Sequence, residues 1–239
     1  MQRAVSCTMH ELRVDRGASS CHTEANWSDT VAFAIEVFRC GPMDNGVYVL
    51  YDADFGTAVI VDPSFASEAA WAFVARHKLR LEAIVNTHGH FDHVVGNAEW
   101  HERAPGASLY LHPLDVPLLV DAPQAAARWG LDVPPSPLPD RAFVPGEPVS
   151  LAGQSWQVLH VPGHSPGSVC LYRPGLLLGG DVLFRGSIGR TDLPGGDHAL
   201  LLSGIRTALL VLPDDTIVYP GHGATTTIGA ERRHNPFLT

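Results

Sequence analysis

Residues 86–97 read NTHGHFDHVVGN and place His88, His90, Asp92 and His93 directly behind the apolar run Ala83-Ile84-Val85. Imidazole in its neutral form binds zinc or iron well, and a carboxylate oxygen can bridge two cations. Three more polar residues recur in a similar setting. His164 follows VLHVPG, Asp181 follows LLLGG and His222 follows TIVYPG, each just past an apolar run and each next to glycine. Glycine permits the tight turns that such positions need. Seven ligand-type residues suffice for two ions, each with three protein ligands and the Asp181 carboxylate shared. Two ions about 3.5–4 Å apart can activate water and stabilise charge developing on a substrate.

The other histidines read as ordinary residues. Of the 13 in the chain, His77 falls on a helix face and His160 lies within a strand. With His101, His112, His198 and His234, they are expected on the surface or in the core. Cys7, His10, Cys21 and His22 match no zinc spacing.

The elements that must position the cluster follow from the apolar pattern. VYVLYD (47–52) and TAVIVD (57–62) predict strands joined by the hairpin loop ADFG, and AIVNT (83–87) and SLYLH (108–112) predict two more. Asp62-Pro63 predicts a helix start, since Asp caps and Pro suits a first turn. Ala70, Phe73, Val74 and His77 then share one helical face. A further helix is expected after the histidine cluster. The second half repeats the theme with WQVLHV (156–161), SVCLYR (168–173), LLLGG (176–180) and TIVYPG (216–221), and with a helix carrying Leu201, Ile205, Ala208, Leu209 and Leu212. If these strands run in one direction side by side, their C-terminal ends share a rim, where α/β proteins bind ligands. Residues 120–146 are proline-rich without strong period, and are expected as a flap over the site or a surface insertion. Residues 1–30 are expected as a loose tail, leaving 31–239 as one domain.

Composition narrows the functional classes. The chain has 239 residues, 45% hydrophobic, with a formal charge of −9, enough for a substantial core. Negative charge disfavours nucleic acid as the main ligand. No run reaches the roughly 18 apolar residues of a membrane span. Four irregularly spaced cysteines without a CxxC pair, and an N-terminus without an export signal, predict a cytoplasmic protein.

HGHFDH, PGHSPGS, GGD and PGHG together resemble the metallo-β-lactamase superfamily, from about residue 33 to the C-terminus. The resemblance implies an α/β fold, a four-layer αββα sandwich with metals at one edge of its two sheets. It implies that His88, His90 and His164 bind one ion, that Asp92, His93 and His222 bind a second, and that Asp181 bridges both. Asp92 would also orient or deprotonate the attacking water. The ions would be Zn2+, one or two, with Fe2+ or Mn2+ as alternatives. GDVLFRGSIGRTDLPGGD (180–197) and GHGATTTIGAERRHNPFL (221–238) are similar to the bacterial glyoxalase II-like hydrolases, which cleave thioesters such as S-lactoylglutathione. In that branch Arg190 would lie near a glutathione moiety; its structural alternative is an ion pair with Asp192 or Asp197. The longer glyoxalase II enzymes add a C-terminal helical domain that helps hold glutathione, whereas residues 223–239 alone follow His222 here.

A thioester suits the residue set, because its thiolate leaving group has a conjugate-acid pKa of about 8.5 and departs without strong proton donation. The nearest alternative is a persulfide dioxygenase, which shares the fold and the GRTD element at 189–192 and uses one iron held at the counterparts of His88, His164 and Asp181. A nuclease of the same superfamily and a non-catalytic metal-holding module are the remaining readings.

Overall fold

Strand content dominates because most apolar runs are short and bounded by turns. The computed structural model describes residues 8–11 and 33–239. In chain order, β1 (Thr8–Glu11), β2 (Phe33–Cys40), β3 (Asn45–Asp52), β4 (Thr57–Val61), β5 (Arg80–Val85), β6 (Ser108–Leu111) and β7 (Arg141–Ala142) form one sheet in that order. It is antiparallel from β1 to β4 and parallel from β4 onward. The parallel part needs helical crossovers, supplied by α1 (Glu68–Arg76) between β4 and β5 and by α2 (Phe91–Val94) and α3 (Asn97–Arg103) between β5 and β6.

The second sheet uses β8 (Pro148–Leu151), β9 (Gln154–His160), β10 (Val169–Arg173) and β11 (Leu176–Gly180) as an antiparallel meander. The two-stranded ribbon of β12 (Leu183–Phe184) and β13 (Ser187–Ile188) stands apart. The chain re-enters the second sheet as β14 (Ile217–Pro220), parallel to β11, with β15 (Thr226–Thr227) at its edge. The helices of this half are α5 (His198–Gly204), continued by a π-helical turn over 205–209, and α6 (Ile228–His234).

Alternation along the strands assigns the layers. Tyr48, Leu50, Val59 and Val61 face inward onto Trp156, Val158, Leu171 and Leu178, forming the core between the sheets. Val47, Val49, Ala58 and Ile60 face outward onto Phe73, Val74 and Trp100. Cys170, Leu177 and Val218 face outward on the other side, onto Leu201, Ile205, Leu209 and Ile228. Three apolar layers between four layers of structure make the αββα sandwich. With both faces covered, the central strands read as unbroken apolar runs.

Three expectations change. Asp62-Pro63 does not start a helix: α1 begins six residues later, at Glu68 after Ser67. Asp62 instead turns the chain with a left-handed φ of 50° and points its carboxylate into the protein. Part of the 120–146 segment is helix, because α4 (Val116–Ala127) extends into it with Pro117 in its first turn. Leu119, Ala122 and Ala126 form the buried stripe of α4; two of the three are alanines, so its apolar period is faint. Thr8–Glu11, expected within the loose tail, pair with β2. Cys7, Cys21, His22 and the side chain of His10 lie outside the described residues.

Candidate metal centre

The seven residues converge, but on the facing edges of two sheets rather than along the rim of one. His88, His90, Asp92 and His93 lie in the β5–α2 turn of the first sheet. His164, Asp181 and His222 follow β9, β11 and β14 of the second. Those three strands run in the same direction, since β9 and β11 are both antiparallel to β10 and β14 is parallel to β11.

Three groups of three lie within ligating reach of one another: His88 with His90 and His164, Asp92 with His93 and His222, and Asp62 with His88 and His93; the first two face Asp181, whereas Asp62 is engaged from behind by Thr87 and by Nδ1 of His93. In the first, the Nε2 of His164 is 3.2 Å from His88 Nε2 and 2.8 Å from His90 Nδ1. In the second, Asp92 Oδ2 is 3.4 Å from His93 Nε2 and 3.3 Å from His222 Nε2. Asp181 lies between the groups. Its Oδ2 is 3.4 Å from both His164 Nε2 and His222 Nε2, and its Oδ1 is 3.5 Å from His93 Nε2. Oδ1 of Asp181 is buried without a hydrogen-bond partner.

The outer partners of the rings decide what those inward atoms are. Nδ1 of His164 donates to the Arg190 carbonyl at 2.8 Å, and Nδ1 of His222 to the Met43 carbonyl at 2.8 Å. His93 Nδ1 donates to Asp62 Oδ2 at 3.1 Å. His88 Nδ1 donates to Thr87 Oγ1 at 3.1 Å, because that hydroxyl spends its own proton on Asp62 Oδ2 at 2.7 Å. With Nδ1 spent on these outer acceptors, the four Nε2 atoms face one another and two carboxylates, and they are the atoms left to bind a cation, whether metal ion or proton. Nε2 atoms of His88 and His164 at 3.2 Å, and of His93 and His222 at 3.2 Å, are then mutually repulsive unless positive charge sits among them. Such a donor set fits divalent cations, and outer hydrogen bonds of this kind fix the tautomers of metal-binding histidines.

Electrostatics separate the two groups. Burial pushes His88 well below its ordinary value, aided by His93 and His164. Burial likewise takes His90 down to about 3, with His164 contributing. At His93 burial acts downward too, but the Asp92 and Asp181 carboxylates outweigh it and raise the ring well above its usual value. His222 is raised to about 10 against burial, through hydrogen bonds to Asp181 and Asp92. Burial disfavours charge on Asp92 and Asp181, yet His93 and His222 hold both below the usual carboxylate range.

Backbone packing is equally tight. A Cβ on Gly221 would collide with Asp181 Oδ1 and lie 2.9 Å from His93 Cε1, so only glycine can precede His222 here. The half-buried ring of Phe184 stands edge-on to His222 at 6.2 Å and supplies an apolar wall.

Sequence reasoning missed buried side chains that brace the cluster, Asp62 and Asn45 among them. Asp62 accepts from Thr87 N at 2.7 Å as well as from Thr87 Oγ1 and His93, and thereby braces both His88 and His93. Its signal was the one used for Asp181, an acid directly after an apolar strand, but the following proline suggested a helix cap. Asn45 donates from Nδ2 to Asp92 Oδ2 at 2.9 Å across 47 positions of sequence, and no local pattern marks it. Arg190 has its guanidinium at the surface, paired with Asp192 through contacts of 2.7 and 2.8 Å, the structural alternative considered for it. Of the histidines read as ordinary, His77 lies tilted against Phe73 with ring centres 4.4 Å apart. His112 and His160 stack on each other at 4.4 Å, outside the metal-type groups.

The sequence profile of the Metallo-beta-lactamase superfamily matches residues 41–222. Hydroxyacylglutathione hydrolase GloC of Haemophilus influenzae is 39% identical over 208 residues, covering 85% of this chain and 97% of that protein. Among solved structures, BLEG-1 B3 metallo-beta-lactamase is 40% identical with a TM-score of 0.80, covering 86% of this chain and all of that one. TTHA1623 in a di-iron-bound form is 44% identical with a TM-score of 0.76, covering 84% of this chain and 98% of that one.

Proposed function

The chain belongs to the metallo-beta-lactamase superfamily, and on that premise we propose that it is a metal-dependent hydrolase of thioesters of the S-lactoylglutathione type. The observation that carries this reading is the convergence of imidazole Nε2 atoms on two carboxylates, with the outer ring nitrogens spent on carbonyls. In it, His88, His90 and His164 would hold one ion and Asp92, His93 and His222 a second, with the Asp181 carboxylate available to both. Zn2+ and Fe2+ both suit this donor set. When bound, such ions lower the pKa of water toward neutrality and polarise a carbonyl.

The protein's own residues do the rest. Asp92 is charged, and Asn45 fixes its Oδ2 at 2.9 Å, so it orients the attacking water and takes its proton. The water oxygen forms the new bond to the acyl carbon, the C–S bond breaks, and the sulfur leaves as thiolate. No added acid is required at the bond-breaking step, because a thiolate, with a conjugate-acid pKa of about 8.5, is a weak enough base to leave unprotonated and takes up a proton from solvent afterwards. Phe184 shields the His222 side from water. Arg190 is tied to the site through its carbonyl bond to His164, and its exposed guanidinium would exchange Asp192 for a substrate carboxylate. A bidentate guanidinium–carboxylate pair has the same geometry with either partner. The 39% identity to the GloC hydrolase supports the substrate class.

The test is a purified, metal-analysed protein assayed in parallel with S-lactoylglutathione, a β-lactam, and glutathione persulfide with oxygen uptake. Loss of S-lactoylglutathione absorbance that disappears on chelation is expected. Oxygen uptake with the persulfide, or turnover of the β-lactam alone, would overturn the thioester reading. Full turnover by metal-free protein would overturn the metal reading itself.

A further inference from the structure

We propose that Asp115 is the positioning residue of the His88/His90/His164 group, the carboxylate that locks its two supporting loops into one cation site. The proposal rests on the reading that these three histidines hold an ion. Asp115 is fully buried just before α4, and belongs to neither group of ligands. Its Oδ2 accepts from the Gly89 backbone N–H at 2.8 Å and from the Ser165 hydroxyl at 2.6 Å, and its Oδ1 accepts from the Gly167 N–H at 2.5 Å. Gly89 is the residue between His88 and His90. Ser165 follows His164 directly. One carboxylate therefore grips, from behind, the turn of the first sheet and the loop of the second that carry all three imidazoles.

The neighbouring bonds make the grip specific. Ser165 N donates to Ser168 Oγ at 3.1 Å, and the two hydroxyls are 2.7 Å apart, so the loop is folded around the carboxylate. A Cβ on Gly167 would lie 2.8 Å from Asp115 Cγ, so the loop approaches as closely as a bare backbone allows. Three hydrogen bonds satisfy a buried carboxyl group whose burial would otherwise be costly. None reaches Asp92, His93 or His222, whose supports are Asn45, Asp62 and Met43. Asp62 serves both groups, through Thr87 at His88 and directly at His93, whereas the side chain of Asp115 grips only Gly89, Ser165 and Gly167, so its loss falls chiefly on the first group.

The experiment is a titration of metal-stripped, refolded full-length protein with Zn2+ against a competing chelator, read as two dissociation steps. His90→Ala and His222→Ala identify which step belongs to which group. Asp115→Asn puts an amide N–H2 against a donor and is expected to weaken the His90-sensitive step by about 10–100-fold, with the other step changed less than about threefold. Ser165→Ala deletes one of the three bonds and is expected to weaken the same step by a smaller factor, which serves if Asp115→Asn does not fold. Equal weakening of both steps, or an unmoved His90-sensitive step in either folded variant, overturns the proposal. Wild-type protein without measurable Zn2+ binding, by contrast, defeats the metal reading on which it rests.

Discussion

The two halves of the metal centre are built from the same ring type and behave oppositely. His88 and His90 are buried among other imidazoles, which drives both toward the neutral form. His93 and His222 are held against Asp92 and Asp181, whose charges outweigh burial and draw protons onto the rings. The first group is a set of neutral donors; the second carries the anionic charge. The difference teaches that residue type alone does not define a ligand's electronic character. Burial lowers one pair of rings, and the two adjacent carboxylates, Asp92 and Asp181, raise the other.

The comparison breaks most severely at the shared residue. Asp181→Ala removes contact with both groups, so metal content should fall at both and kcat/KM by a factor on the order of 10³, checked by elemental analysis beside the thioester assay. Retention of one full equivalent of metal with near-normal turnover would mean that Asp181 bridges nothing. Asp92→Asn should keep both ions through its amide oxygen yet lower kcat by about 10²-fold or more, with KM little moved, because it lacks a proton acceptor; steady-state kinetics decide it. Asn45→Ala leaves Asp92 in place but unsteadied, and about a tenfold drop in kcat is expected. An unchanged kcat there would assign the 2.9 Å contact to packing alone.

The smallest effect lies outside the centre. His112 is pushed down by burial, then by the stacked His160. A histidine depressed in the folded state takes up its proton more readily when unfolded, so its contribution is present above the unfolded value of about 6.5 and falls away as pH drops below it. Thermal unfolding of His112→Phe, compared with wild type from pH 7.5 to 5, should show a shallower loss of stability on acidification. An identical slope removes His112 from the account.

Much of this was legible in the sequence, for a physical reason. His88 to His93 sit in one short turn, and His164, Asp181 and His222 each end an apolar run, so local pattern marks every one of them. The unbroken apolar strands likewise announce a sheet covered on both faces. What escaped were residues whose partners are distant in sequence. Asn45 reaches Asp92 and Asp62 reaches Thr87 and His93 only after folding. Asp62 was misread because proline after an acid is a common helix start, whereas the chain here needs the acid turned inward at a left-handed φ. The rim was also misjudged, since strand direction can be guessed from sequence but membership of one sheet or the other cannot.

Placing the ligands on two separate sheets has a consequence for how the chain matures. Neither half by itself holds a complete set of three around the all-imidazole position, because His88 and His90 come before residue 100 and His164 after 160. A cation held there would be gripped tightly only once the sheets have docked, late in folding. It would then act as a rivet through the open end of the sandwich, resisting the very separation that unfolding requires.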